Sequence, residues 1–236
     1  MVSALSSASR LLAVMPHPDD EAYLAAATLA AAAAAGVEVT LLTLSAGEAG
    51  GDPKTRRQEL ERACAHLGVR DLRVWRWPDG AFAAHPAEQS VEQLRSLLLS
   101  IEPDVILGLG ADGVYGHWDH LMAHRWLRAA AATAEMDERL WQSVMPPGWF
   151  HPLWRALRRA RPALVPKGLT AQDFGAPPAP GDHQLLLDDT ARALKRAAIA
   201  SHQSQLRGAA PDDFLMPGLM APLMQVERWR VARSGS

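Results

Sequence analysis

The chain has 236 residues, of which 48% are hydrophobic and 21% charged, and its formal net charge at pH 7 is −2. This composition is typical of a globular protein with a sizeable core, and the charge gives no basic surface for nucleic acid. The single cysteine, Cys64, excludes an intrachain disulfide and a zinc site built from cysteines, and no apolar run has the length of a membrane span. We expect a cytoplasmic protein that binds a small molecule; the sequence leaves open whether it forms a homo-oligomer.

The first predicted strand leads into a dense group of chemically reactive side chains. An apolar stretch at 11–14 precedes the run Met-Pro-His-Pro-Asp-Asp-Glu at 15–21, which contains one imidazole and three carboxylates. Ligands of open α/β sheets bind beyond the carboxyl ends of the strands, so we expect this turn to belong to the active site. Capping of the next helix by Asp19 or Asp20 is an alternative that explains the acids but not His17.

A βαβ unit is predicted directly after this turn. The alanine-rich segment 22–35 predicts a helix that ends at Gly36, and residues 37–44 predict the second strand. A right-handed crossover makes these two strands parallel. The glycine-rich loop at 45–53 should therefore lie beside the first turn, and we expect its Glu48 to contact substrate. The glycines lack the spacing of a dinucleotide-binding fingerprint.

The remaining pattern extends this α/β alternation. It predicts helices at 54–67, 87–100, 125–134 and 185–205, strands at 71–77, 103–110 and 224–232, and an irregular segment at 141–182. We predict one domain, 1–236, with a Rossmann-like, mostly parallel sheet that carries helices on both faces. Its core spans about 8–135, the irregular segment faces the substrate, and a C-terminal helix and strand occupy about 185–232.

A second polar cluster follows the strand predicted at 103–110. Three histidines, His117, His120 and His124, fall within eight positions and flank Asp119. Imidazole and carboxylate groups beyond two neighbouring strand ends favour a metal site over a chance grouping, while the participation of His124 stays open. The other histidines that we considered lack such neighbours and are expected at the surface or in caps: His66, His85, His151 and His183.

Four motifs together resemble the PIG-L/LmbE family of zinc-dependent N-acetylglucosamine deacetylases. They are the Pro-His-Pro-Asp-Asp-Glu run at 16–21, the Gly-Glu-Ala-Gly-Gly loop at 47–51 followed by Arg56 and Glu59, the His-Trp-Asp-His run at 117–120, and the motif from Lys195 to Gln205 that contains His202. The resemblance reaches from residue 11 to about 205. It implies a metal-dependent hydrolase that removes acetate from a small N-acetylated amino-sugar conjugate.

The resemblance also implies a role for individual residues. His17, Asp20 and His120 would hold the zinc, Asp19 would be the general base, and His117 would stabilise the oxyanion. A catalytic zinc with three nitrogen and oxygen ligands keeps one position for water, which agrees with this set, although Fe²⁺ suits the same ligands.

Four further residues complete the predicted site. Asp119 is suited to fix the tautomer of an imidazole, and Tyr115 could offer its hydroxyl to the oxyanion. Arg56 and His202 are predicted substrate contacts. A hydrolase of another amide or acyl ester and a non-catalytic sugar-binding relative are the alternative functions.

Overall fold

The fold, described by a computed structural model for residues 5–160, 170 and 173–232, is built on one seven-stranded sheet. The strands are β1 (Arg10–Met15), β2 (Glu38–Thr43), β3 (Asp71–Val74), β4 (Val105–Gly108), β5 (Leu140–Ser143), β6 (His183–Leu186) and β7 (Val226–Val231). The helices of nine or more residues are α1 (Ala26–Ala34), α2 (Pro53–Leu67), α3 (Ala87–Ile101), α4 (Trp118–Thr133), α5 (His151–Ala160) and α6 (Asp189–Ser201).

The strand order is β3-β2-β1-β4-β5-β7-β6, and the first five strands of this order are parallel. The chain therefore reverses its winding direction between β1 and β4, the switch point at which such sheets bind ligands. β7 and β6 extend the sheet as antiparallel strands. The predicted Rossmann-like α/β class is confirmed.

Alternation along β1 explains why helices cover both faces. Leu11, Ala13 and Met15 belong to one buried cluster, whereas Leu12 and Val14 belong to the other. The first cluster includes residues of α1, α2 and α6, and the second includes residues of α3 and α4. Both faces of a parallel sheet are thus shielded from water. Within the described ranges, no helix is both long and apolar enough to cross a membrane.

The helix predicted at 22–35 begins with a π-helical turn at Glu21–Ala25 before α1 starts. The change of helix type frees backbone N–H groups, and Glu227 of β7 accepts those of Ala27 (3.0 Å) and Thr28 (2.8 Å). The Lys195 ammonium lies 2.8 Å from the same carboxylate and balances its charge. The last strand therefore supports the start of the first α-helix.

Several predicted boundaries were wrong, among them the end of the strand predicted at 71–77, which stops at Val74. α4 begins at Trp118 rather than at 125, because the polar residues of the second cluster form its first turn. The segment 141–182 is not irregular throughout, since it contains nearly all of β5 and the whole of α5, whose Trp154 packs in the core. Part of it, 161–169 and 171–172, lies outside the described residues.

The helix predicted at 185–205 was also wrong at its start. Residues His183–Leu186 form β6, and Asp188 caps α6 by accepting the N–H of Ala191 at 2.8 Å. The apolar residues at 185–187 fit either structure, because short apolar runs do not distinguish a strand from a helix.

Candidate active site

The two polar clusters of the sequence meet at the switch point of the sheet. The turn at 16–21 follows β1, and the run at 117–120 follows β4, the strand hydrogen-bonded to β1. One ligand atom from each of His17, Asp20 and His120 can be chosen so that all lie within 4.8 Å of one another. The predicted metal ligands are therefore close enough to bind one ion.

The geometry of these three side chains leaves a gap suited to a cation. The Asp20 carboxylate lies 3.4 Å from His17 Nδ1 through one oxygen and 3.4 Å from His120 Nε2 through the other. His120 is fully buried, yet neither ring nitrogen has a hydrogen-bond partner among the described residues. Buried polar atoms are rarely left unpaired in native proteins, so the free His120 nitrogens fit a metal ligand.

The charge states of His120 and Asp20 also suit a divalent cation. Burial lowers the pKa of His120 to about 3, so its imidazole is neutral and keeps a free lone pair. Burial alone would raise the pKa of Asp20, but His120, His17 and the Tyr23 hydroxyl, which donates to Asp20 at 2.7 Å, hold it below its usual range. A neutral imidazole and an ionised carboxylate are the forms that bind metals.

His17 is oriented by two carboxylates that lie on its far side. Its Nε2 lies 3.0 Å from Asp79 Oδ1 and 3.1 Å from Asp119 Oδ2. A proton on Nε2 would leave the lone pair of Nδ1 directed towards Asp20 and the metal cluster, the usual arrangement for a metal-binding histidine. The Asp119 position agrees with its predicted contact to an imidazole. Asp79 was missed, although its Pro-Asp-Gly turn follows β3 at the same edge of the sheet.

Asp19 has an unusual backbone conformation next to the cluster. Its φ is +119°, which costs roughly 1–3 kcal/mol for a residue other than glycine. Its N–H donates to Glu21 Oε2 at 2.9 Å, and Arg56 Nη2 donates to its Oδ2 at 3.1 Å. Burial and the neighbouring Asp20 raise the pKa of Asp19 to about 7. A carboxyl with such a pKa can exchange protons near neutral pH.

His117 lies on the other side of the cluster as the N-cap of α4. The Asp119 N–H donates to His117 Nδ1 at 3.2 Å, so in the neutral imidazole the proton resides on Nε2. Burial and the nearby His17 lower its pKa, which favours this neutral form. The ring centroid lies 5.2 Å from that of His17 and 5.0 Å from that of His120. His117 therefore carries an N–H donor at the edge of the metal cluster.

The predicted substrate contacts fall into two groups. Tyr115 is partly exposed and its ring lies 5.0 Å from that of His120, and Glu48 is exposed in the loop after β2. Arg56 and His202, in contrast, are 3% and 0% exposed. The terminal guanidinium nitrogens of Arg56 and the Nε2 of His202 contact protein groups, so burial does not favour direct substrate contact for either residue.

Arg56 instead links the turn after β1 to the glycine-rich loop after β2. Its guanidinium donates to the carbonyl oxygens of Pro18 and Gly47 as well as to Asp19. Gly47 has φ +74°, and a Cβ atom there would lie 2.9 Å from Arg56 Cζ. The glycine therefore allows both the turn and the close approach of the arginine.

His124, whose participation the sequence left open, lies outside the cluster. Its Nδ1 is 2.9 Å from the carbonyl oxygen of Leu109 and 3.3 Å from the side-chain nitrogen of Gln142. One turn of α4 after His120, it is thus engaged with the end of β4 and with β5.

The fold and the site define a Rossmann-like α/β protein with a buried His/Asp cluster of metal-ligand geometry at the switch point. The chain belongs to the PIG-L family, whose sequence model, described as GlcNAc-PI de-N-acetylase, matches residues 12–131. It is 31% identical to a 1D-myo-inositol 2-acetamido-2-deoxy-alpha-D-glucopyranoside deacetylase of Streptomyces scabiei, over 95% of this chain and 84% of the relative. The enzyme of that name from Actinosynnema mirum is 34% identical, over 59% of this chain and 61% of the relative.

Solved structures agree on the fold. The N,N'-diacetylchitobiose deacetylase from Pyrococcus horikoshii superposes with a TM-score of 0.63 at 19% identity, covering 97% of this chain and 85% of that one. At this identity the likeness concerns the fold alone. The resemblance to the PIG-L/LmbE family is therefore confirmed by the match to the family model and by the deacetylases to which the chain is similar.

Proposed function

We propose that this chain is a zinc-dependent hydrolase that removes acetate from a small molecule containing N-acetylglucosamine. The observation that carries the proposal is the buried cluster of His17, Asp20 and His120 with Asp19 directly beside it. Membership of a family of deacetylases supports the same reaction. Fe²⁺ remains an alternative metal, because nitrogen and oxygen ligands accept several divalent ions.

When bound, a divalent cation at this cluster supplies Lewis acidity, which lowers the pKa of water and polarises an acyl oxygen. Asp19 acts as the base: its carboxylate takes a proton from water as the water oxygen attacks the acetamide carbon. The raised pKa of Asp19 also lets it return that proton to the nitrogen when the carbon–nitrogen bond breaks. Acetate and a primary amine are the products.

His117 and Tyr115 stabilise the negative charge that develops on the acyl oxygen. A neutral His117 donates through Nε2, since Nδ1 accepts the Asp119 N–H. The Tyr115 hydroxyl remains protonated at any physiological pH because burial raises its pKa well above the usual value. Both side chains are therefore hydrogen-bond donors and need no proton transfer to act.

The substrate class follows from the relatives. The inositol glycoside named for the relatives of Streptomyces and Actinosynnema is the first compound to test. Glu48, exposed beside the crevice, is the group that we assign to sugar hydroxyls. Arg56 and His202 are assigned indirect roles, because both are buried and engaged with protein groups.

Two measurements on the purified protein test this function. Elemental analysis should find about one divalent metal per chain, and primary-amine release should be seen with N-acetylglucosamine conjugates. The panel includes the inositol glycoside, N,N'-diacetylchitobiose and matched O-acetyl esters. Amine release from none of the N-acetyl compounds by metal-loaded protein would overturn the proposal, and hydrolysis of the esters alone would identify an esterase.

A further inference from the structure

A buried hydrogen-bonded chain joins the backbone of Asp19 to the C-terminal end of α6. The Asp19 N–H donates to Glu21 Oε2 at 2.9 Å, and the other oxygen of Glu21 lies 2.7 Å from His202 Nε2. Both side chains are fully buried. With both side chains buried, Glu21 contacts the catalytic turn through the Asp19 N–H, so an effect on the reaction can be transmitted through Asp19.

The backbone conformation of Asp19 indicates a role for this series of hydrogen bonds. A φ of +119° at an aspartate persists only when the surroundings hold it in place. The Asp19 side chain is held by Arg56, whereas Glu21 accepts its backbone N–H. Loss of the Glu21 acceptor would remove one of the restraints on this peptide, leave it held through the Pro18 carbonyl and Arg56, and let the carboxylate shift away from the metal cluster.

An alternative role for the Glu21–His202 contact is to anchor α6, but this explains the contact less well than a role at Asp19. Ser204 binds Glu59 of α2 through its N–H at 2.8 Å and its hydroxyl at 2.7 Å, and Lys195 binds Glu227 at 2.8 Å. These contacts already attach the middle of α6 and the residues just after its C-terminal end. A buried ion pair is weak evidence for stability, because desolvation offsets much of the attraction.

We propose that Glu21 and His202 are positioning residues that hold Asp19 in the conformation required of the base. Glu21 binds the Asp19 N–H directly, and His202 fixes the orientation of Glu21. The inference rests on the proposed function, in which Asp19 accepts the proton of water. It reassigns His202 from the substrate contact that the sequence suggested to a support of the catalytic turn.

The test compares truncating and conservative variants of both residues. Glu21→Ala should lower kcat by about 10²-fold, part of the loss expected for a general base, with KM changed less than about twofold. Glu21→Gln keeps an oxygen for the Asp19 N–H, and His202→Gln keeps a donor for Glu21, so each should retain more activity than its alanine counterpart. Bound metal should remain at the wild-type level, because neither residue is a ligand.

Ser204→Ala is the matched control. It removes a hydroxyl contact at the same end of α6 without touching Asp19, so kcat should stay near wild type. An equal loss of kcat in this control, or an unchanged kcat in Glu21→Ala with full metal, would overturn the positioning role. A change confined to KM, or loss of metal from either alanine variant, would do the same.

A crystal structure of Glu21→Ala separates this inference from the proposed function. We expect the φ of Asp19 to leave the positive region or its carboxylate to shift, whatever the substrate is. An unmoved Asp19 would refute the positioning role even if the enzyme were active. Absence of amine release by the wild type would instead refute the deacetylase and leave the structural measurement intact.

Discussion

At the scale of single residues, two adjacent aspartates experience opposite environments. Asp20 faces two imidazoles and a tyrosine hydroxyl, which keep it ionised. Asp19 is partly buried, and desolvation together with the adjacent Asp20 carboxylate keeps its pKa high. Titratable neighbours whose pKa values are pushed apart mark the division between a ligand and a proton carrier.

The ligand assignment predicts the metal content of single variants. Asp20→Ala and His120→Ala should each lose metal on dialysis at neutral pH, because only two protein ligands remain. His124→Ala, one helical turn after His120, is the control and should keep it, since His124 binds the Leu109 carbonyl. Elemental analysis of the three variants tests the ligand set. Full metal occupancy in Asp20→Ala would exclude it.

The base assignment predicts a loss confined to turnover. Asp19→Asn keeps the shape of the side chain but cannot accept a proton, so kcat should fall about 10²- to 10⁴-fold with metal still bound. In the wild type, kcat/KM should decrease as the pH falls through the pKa of Asp19, which lies above the ordinary value of about 3.9. Measuring kcat/KM against pH for the wild type and Asp19→Asn checks both expectations. Near wild-type amine release by Asp19→Asn would rule out Asp19 as the base.

The oxyanion assignment predicts a smaller loss. His117→Ala should retain metal and lower kcat by about 10²- to 10³-fold, because one hydrogen-bond donor to the developing charge is removed. His117→Gln restores an N–H donor and should recover part of the rate. Steady-state kinetics with metal analysis distinguishes this result from loss of the ion, which would instead place His117 among the ligands.

At the scale of elements, the first helix depends on the last strand. The alanine run predicted a helix correctly, because propensity is local. The π-helical turn could not be predicted, since it is compatible with the fold only where Glu227 accepts the freed N–H groups of Ala27 and Thr28. That carboxylate is distant in sequence, and Lys195 is its buried counter-ion.

This arrangement predicts a contrast between two neighbouring cations of α6. Lys195→Met leaves Glu227 charged and unpaired in the core, so the free energy of unfolding should fall by about 3–5 kcal/mol. Arg196→Met removes an exposed pair with Asp212 and should cost under about 1 kcal/mol. Denaturant titration of both variants measures the difference, and equal small losses would show that Glu227 does not need its counter-ion.

At the scale of the whole molecule, the strands β1 to β4 and β7 were predicted from the sequence, whereas β5 and β6 were not. Apolar strand patterns alternating with helices predicted the βαβ winding of β1 to β4, and both metal-ligand clusters fell at strand ends. β5 was missed because it begins the segment that was predicted to be irregular, and β6 was missed because its short apolar run was assigned to the following helix. Asp79 was not predicted as a site residue, because nothing in the sequence distinguishes its Pro-Asp-Gly turn from other such turns. Only the fold brings it into contact with His17.

The supports of the catalytic turn are far away along the chain. The Glu21–His202 contact spans 181 residues and the Ala27–Glu227 contact spans 200. Contacts of such long range form late, because the loop between them must first be closed. During synthesis the nascent chain therefore contains all three predicted metal ligands by residue 120, but His202 and Glu227, which contact Glu21 and the start of α1, emerge only after residue 200. A deacetylase built in this way should stay inert until β7 has been synthesised and has docked onto the sheet.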